Sequence, residues 1–100
     1  MLPPEVAKRA RELWERGLFW EVHEELEPHW QRATGTEREL LQGVIQLAAA
    51  LHKARTNKEA AERILRRALA HLKRAGVEGG MEERFLAAVR GEGEAPGFPL

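Results

Sequence analysis

The stretch from Leu40 to Ala54, LLQGVIQLAAALHKA, constrains the fold more than any other part of the chain. Its polar side chains are limited to Gln42, Gln46, His52 and Lys53. A helix that is apolar around most of its circumference belongs at the centre of a bundle, where neighbouring helices cover it. Gly43 would let one of those neighbours approach closely, because it has no side chain.

The boundaries of this central helix and of the next one follow from capping residues. Thr36 and Glu39 form a T-x-x-E pattern, in which each side chain accepts a hydrogen bond from a backbone N–H that lacks a partner within the helix. This capping box predicts that the central helix begins at Thr36. Asn57 is a suitable N-cap for the next helix, and Gly76 would end it.

Three further segments also read as helices. They are a first helix from Pro3-Pro4 to Gly17, a second from about Leu18 to Ala33, and a short last one from about Met81 to Val89. Proline is tolerated in the first helical turn, and glycine favours the left-handed conformation that ends a helix. No segment has the alternating pattern of a strand.

We therefore expect an all-α fold, a compact single-domain bundle of four main helices plus a short fifth helix. The bundle would occupy residues 1–90, with the second and third helices paired at its centre. Residues 91–100 form a glycine- and proline-rich C-terminal tail that should be irregular, with Phe98 and Leu100 packing back onto the bundle.

The composition limits which metal ligands the chain can offer and which partners it can attract. The 16 basic and 16 acidic residues balance, so no net field draws the chain to nucleic acid or to an anionic membrane. The chain has no cysteine, which leaves histidine and carboxylates as the ligands for any metal. No apolar run reaches the roughly 18 to 20 residues of a membrane span, and the N-terminus lacks a signal-peptide pattern. We expect a cytoplasmic protein.

The second helix contains an unusual mixture, FWEVHEELEPHW, from Phe19 to Trp30. Its apolar stripe at helical spacing consists of Phe19, Val22, Leu26 and Trp30. His23 projects within the same arc and should be largely buried. Glu27 follows one turn later, at i,i+4, where it can hydrogen-bond to His23 or share a cation with it. Pro28 has no N–H to bond to Glu24 and should kink the helix.

One hypothesis is a divalent metal site. His23 and Glu27 would be two ligands from one helix, and His52 would be the third, a set that suits zinc, manganese or iron. Glu24 would be the catalytic general base, by analogy with H-E-x-x-H metalloproteases. The chain has Glu27 where that motif has its second histidine, so protease activity does not follow.

The alternatives need no metal. His23, Glu27 and either Gln46 or His52 could form a structural hydrogen-bonding network that fixes the helix register. The cluster could also bind a small molecule or a peptide. A third alternative is a helical adaptor or homo-oligomerisation module, with Trp20 and an exposed part of the first helix in the dimer face.

Two other features have simpler explanations. His71 lies near an edge of the fourth helix and is expected to be a hydrogen-bonded or half-exposed histidine and not a ligand. Basic side chains of the same helix could contact phosphates, but glutamates interrupt them and no aromatic residues alternate with them. These features argue against a nucleic-acid partner.

Several of these residues together resemble a known family. Phe19, His23-Glu24, Glu27 and Trp30 match F-x-x-x-H-E-x-x-E-x-x-W, and residues 41–48, His52, Asn57 and the leucines of the fourth helix continue the pattern. The chain resembles the bacterial and archaeal family known as domain of unknown function 309 over roughly residues 5–75. The resemblance implies a small cytoplasmic helical bundle with no established activity, and Gln46 and His52 as candidate partners of the signature. Pro28 departs from the family pattern, which favours a helix former there.

Overall fold

The fold is a helical bundle, seen in a computed structural model that describes residues 2–77 and 79–100. Within these residues the helices are α1 (Pro4–Glu15), α2 (Phe19–Arg32), α3 (Gly35–Lys53), α4 (Lys58–Arg74) and α5 (Glu82–Val89), and there is no strand. The predicted all-α bundle of four main helices and a short fifth is confirmed. Met1 and Glu78, which belong to the predicted 1–90 domain, lie outside the described residues.

Helix α3 lies at the centre of the bundle, as its apolar sequence predicts. It packs against α2, α4 and α5, and its most extensive contact is with α4. A Cβ atom on Gly43 would lie 2.7 Å from Leu72 Cγ and 3.2 Å from the Ala68 carbonyl oxygen. The close approach predicted at Gly43 is therefore made by α4. The second and third helices were expected to form the central pair of the bundle. They do pack together, but α3 packs more extensively against α4 than against α2.

The two predicted caps differ in outcome. Asn57 Oδ1 accepts a hydrogen bond from the Ala60 N–H at 3.0 Å and caps α4. The capping box at the start of α3 is wrong: the helix begins at Gly35, Thr34 is the N-cap, and no side chain caps it. Glu39 does not turn back toward the helix start, since its carboxylate is hydrogen-bonded by His71 and Arg74 of α4.

The C-terminal segment packs on α1. Trp14 Nε1 donates a hydrogen bond to the Pro96 carbonyl oxygen at 2.8 Å, and the Phe98 ring lies 5.6 Å from the Trp14 ring. Arg11 donates to the backbone oxygen of Leu100 at 2.7 Å. The expected packing of Phe98 and Leu100 against the bundle is observed. The segment has no helix or strand, as its glycine and proline content predicts.

Two arginines form contacts that join α1, the turn after it and α2. Arg55, just after α3, donates to the Gly17 carbonyl oxygen, and its guanidinium lies 5.5 Å from the centre of the Phe19 ring. Arg9 of α1 forms an ion pair with Glu25 of α2. Gly17 has φ +73°, the left-handed conformation predicted for the residue that ends the first helix. Among the described residues, no helix is both long and apolar enough to cross a membrane.

Candidate functional site

Helix α2 places its apolar stripe in the core and its polar cluster at the edge of that stripe. Phe19, Val22 and Leu26 are buried, as predicted. His23 and Glu27 lie next to them, and their side chains retain 22% and 43% of their accessible surface. His23 is therefore mostly buried, as predicted, whereas Glu27 is more exposed. The stripe turns toward α3, and the positions beside it reach the surface between the helices.

His23 and Glu27 are close to each other. The His23 Nε2 atom lies 3.5 Å from Glu27 Oε2, one helical turn away. This separation exceeds the usual 2.7 to 3.2 Å of an N–H···O hydrogen bond. The two side chains face each other without a tight hydrogen bond.

A shallow groove of about 350 Å³ runs along this face of α2. It is lined by Trp20, His23, Glu24, Glu27, Pro28 and Gln31. The helix continues through Pro28, so the residues before and after this proline share one groove. Glu24, the predicted general base, is exposed in the groove together with the two predicted ligands.

Trp20 joins this groove to α3. Its ring is stacked on the His23 ring with centroids 4.8 Å apart and planes 7° apart. The same indole lies 5.5 Å from the His52 ring at an angle of 40°. Trp20 nevertheless keeps 45% of its surface exposed. The structure thus brings His23 and His52 to the same tryptophan, which was not predicted from the sequence. The i,i+3 spacing of Trp20 and His23 could have indicated their contact, but no local pattern indicates the contact of Trp20 with His52.

Three polar atoms near α2 and α3 are buried without a hydrogen-bond partner in the protein. They are His23 Nδ1, Gln46 Oε1 and His52 Nδ1. The His–Glu–Gln network proposed as the structural alternative is therefore not formed through these atoms. Buried polar atoms of this kind usually bond to water or to a ligand.

The predicted metal ligands are only partly brought together. His23 and Glu27 meet, but among residues 2–77 and 79–100 no three or more His, Cys, Asp or Glu side chains are grouped so that they could hold a metal ion. In this conformation His52 is thus not positioned as a third ligand with the pair.

A second polar cluster joins α3 to α4 and was not predicted. His71 Nδ1 and Arg74 Nε both approach Glu39 Oε1, the arginine at 3.1 Å, and Arg74 Nη2 lies 3.0 Å from His71 Nδ1. The hydrogen bond from His71 is the main cause of a lowered pKa at the Glu39 carboxyl, and Arg74 lowers this pKa further against the opposing effect of desolvation. His71 is a hydrogen-bonded, half-buried histidine, as expected.

Trp30, the last residue of the family motif, lies near this second cluster. The Arg38 guanidinium stacks over its ring at 4.2 Å. Trp30, Arg38, Glu39 and His71 are among the residues that line a small groove of about 200 Å³. Trp30 is partly buried against the core, consistent with the structural role predicted for the stripe.

Comparison with known proteins gives a fold and a family. A crystal structure of a conserved hypothetical protein from Thermus thermophilus is 42% identical in sequence, with a TM-score of 0.70, over 90% of this chain and 95% of the other. No curated protein matches the chain. The sequence pattern of the family described as Domain of unknown function (DUF309) matches residues 7–65, more than half of the chain and the part that contains α2 and α3. The chain therefore belongs to the DUF309 family, whose function is uncharacterised.

Proposed function

We propose that the protein binds a divalent metal ion, zinc or manganese, in the α2 groove, with His23 and Glu27 as ligands. The observation that supports this most directly is the 3.5 Å between His23 Nε2 and Glu27 Oε2. Two donor atoms that each lie about 2.1 Å from a tetrahedral zinc are about 3.4 Å apart. The pair therefore has the spacing of two ligands of one ion, which is wider than that of a strong hydrogen bond.

The exposure of the pair also suits an ion. Both side chains are open enough for a hydrated ion to reach them from solvent, and the groove leaves room for water beside it. A bound divalent ion lowers the pKa of a coordinated water and can supply hydroxide near neutral pH. Glu24, exposed in the same groove, is the residue proposed to take up a proton there.

His52, the third ligand expected from the sequence, lies outside the proposed pair of ligands. Its ring contacts Trp20, and its Nδ1 atom is buried without a hydrogen-bond partner in the protein. In the observed rotamer, it supports the indole that stacks on His23.

The test is a titration of the purified, chelator-treated protein with zinc and with manganese, followed by calorimetry. Wild type should bind an ion, and His23→Ala and Glu27→Gln should each weaken binding by more than about tenfold, since even groups that only support a ligand contribute about 10- to 100-fold. Acidification should also weaken binding, because an imidazole must be deprotonated to coordinate a metal.

His29→Ala is the matched control, because it removes a neighbouring half-buried histidine of α2 that does not line the groove. This variant should bind as wild type does. Failure of wild type to bind either ion would reject the proposal. A loss in His29→Ala equal to that in His23→Ala would also reject it, since binding would then not depend on the groove.

We also propose that the protein acts in the cytoplasm. Its sequence contains no cysteine, so folding requires no oxidising compartment for disulfides. Detection of the protein in a periplasmic or extracellular fraction of the source cells, and not in the cytoplasmic fraction, would contradict this.

A further inference from the structure

We propose that a second copy of this chain completes the metal site, so that two copies share one ion between their α2 helices. Each copy would supply His23 and Glu27. This inference rests on the function proposed above and names the partner that the site needs.

The number of ligands is the first argument. Zinc is held by four protein ligands in structural sites and by three in catalytic sites. The described part of this chain groups only two, His23 and Glu27. Two copies related by a twofold axis through the ion supply two histidines and two glutamates, which is the full tetrahedral set of a structural site. The shared ion then holds the two copies together, and a coordinated water with Glu24 as its base requires an ion bound to one chain alone. A twofold interface places the same residues of both copies at the axis.

The position of the pair is the second argument. Glu27 retains 43% of its side-chain surface and lines an open groove on the outside of the bundle. An ion held there has its free coordination positions directed away from its own chain. Ligands from another molecule can reach these positions without any rearrangement of the fold.

The third argument is the exposed tryptophan beside the pair. Trp20 is the large hydrophobic side chain that remains exposed among the described residues, at 45%, and it stacks on His23. Tryptophan is enriched among the residues that contribute most to binding at protein interfaces. A second copy that approaches His23 along the groove would cover this indole.

The charges at the groove are the fourth argument, because they explain why a dimer would require the ion. The whole chain has no net charge, so two copies do not repel each other at a distance. At the groove itself, however, Glu24 and Glu27 of one copy would face the same residues of the other. These like charges oppose contact until a divalent cation lies between them, since an opposite charge offsets the repulsion. Dimerisation should therefore depend on the metal.

The experiment measures mass and metal content together on the full chain, by sedimentation equilibrium with zinc and with EDTA. We expect a dimer with one ion per two chains in zinc, and a monomer in EDTA. His23→Ala should remain monomeric at concentrations at which wild type is dimeric. Trp20→Glu should raise the dissociation constant of the dimer by at least about tenfold.

Ala70→Glu is the control for Trp20→Glu, because it adds one negative charge at an exposed position of α4, away from the groove. It should dimerise as wild type does.

The outcomes separate the two proposals. A monomer that binds one zinc per chain would overturn the shared site and leave the metal-binding function intact. A protein that binds no zinc would overturn both. A dimer that persists in EDTA or in His23→Ala would overturn the bridging role of the ion, and equal weakening by Ala70→Glu and Trp20→Glu would overturn the α2 interface.

Discussion

At the scale of single residues, Glu39 shows how a tertiary contact competes with a local one. Its position three residues after Thr36 suits a capping box, but the carboxylate instead contacts His71 and Arg74. The hydrogen bonds from His71 and Arg74 stabilise the charged carboxylate in place of the backbone N–H of a capping box. The same contacts lower the pKa of Glu39, first through His71 and then through Arg74.

Glu39→Gln should therefore destabilise the protein in a pH-dependent way. The pKa of Glu39 is lower in the folded protein than its ordinary value of 4.5, so the carboxylate contributes stability above that value. The contribution is lost as the pH falls through the lower folded pKa. Urea unfolding should show a deficit for the variant at about neutral pH that shrinks steadily as the pH falls below the ordinary carboxyl pKa of 4.5.

Glu12→Gln, at an exposed position of α1, is the control for this experiment. Its effect on stability should be smaller than that of Glu39→Gln near neutral pH. A deficit in Glu39→Gln that is the same at every pH would contradict the account, because it would not come from the charge of the carboxylate.

At the scale of helices, the starts of α3 and α4 are built differently. Asn57 caps α4 with its own side chain, whereas the N-cap of α3, Thr34, makes no such bond. Helix α3 is instead stabilised by burial, since eight of its 19 residues are buried and it packs against α2 and α4. Side-chain caps matter most for a helix such as α4, which buries only one face.

Asn57→Ala should lower the free energy of unfolding by about 1 kcal/mol, within the range of about 0.5 to 2 for loss of an N-cap. Thr36→Ala should change it by less than about 0.5 kcal/mol, as for other surface substitutions. Chemical denaturation of the two variants measures both values. Equal losses of unfolding free energy in the two variants would show that Thr36 also caps a helix. That result would contradict the observed start of α3 at Gly35.

At the scale of the whole molecule, Trp14 joins both ends of the chain. Its ring lies 5.2 Å from Phe19, 6.2 Å from Phe85 and 5.6 Å from Phe98. Its indole N–H is satisfied by the Pro96 carbonyl oxygen, so the buried polar group is paired only when the tail is in place. The tail therefore packs against the core although it has no regular secondary structure.

The tail and Trp14 should be coupled energetically. Deletion of residues 92–100 should lower the free energy of unfolding, since it exposes the indole and removes its acceptor. Trp14→Phe should cost about 1 to 3 kcal/mol in the full chain, through the lost hydrogen bond and the smaller ring. In the shortened chain the same substitution should cost less, because the acceptor is already absent.

Urea unfolding of the four proteins forms a double-mutant cycle that measures this coupling. Effects that simply add would contradict the packing of the tail on Trp14. Arg11→Ala is a useful comparison in the full chain, because it removes the exposed hydrogen bond to Leu100 and leaves the buried indole unchanged. Its effect should be smaller than that of Trp14→Phe.

The sequence by itself determined the features that depend on neighbours along the chain. Helical periodicity predicted the helices, Asn57 and Gly17 predicted two of their boundaries, and the apolar circumference of residues 40–54 predicted the central helix. The motif of α2 predicted the family and the pairing of His23 with Glu27. Side chains at i and i+4 are adjacent in any α-helix, so these conclusions do not depend on how the helices pack.

Only the tertiary structure decided which side chains of other elements each helix face contacts. Glu39 and His71 are 32 positions apart, and no local pattern links them. The same is true of the contact of Trp20 with His52 and of the packing of the tail on Trp14. How far His23 and Glu27 are buried also depends on the orientation of α2 against α3. Helices of one sequence can pack at several angles with similar local energies, so the positions at the edge of a helix face are set by the packed bundle as a whole.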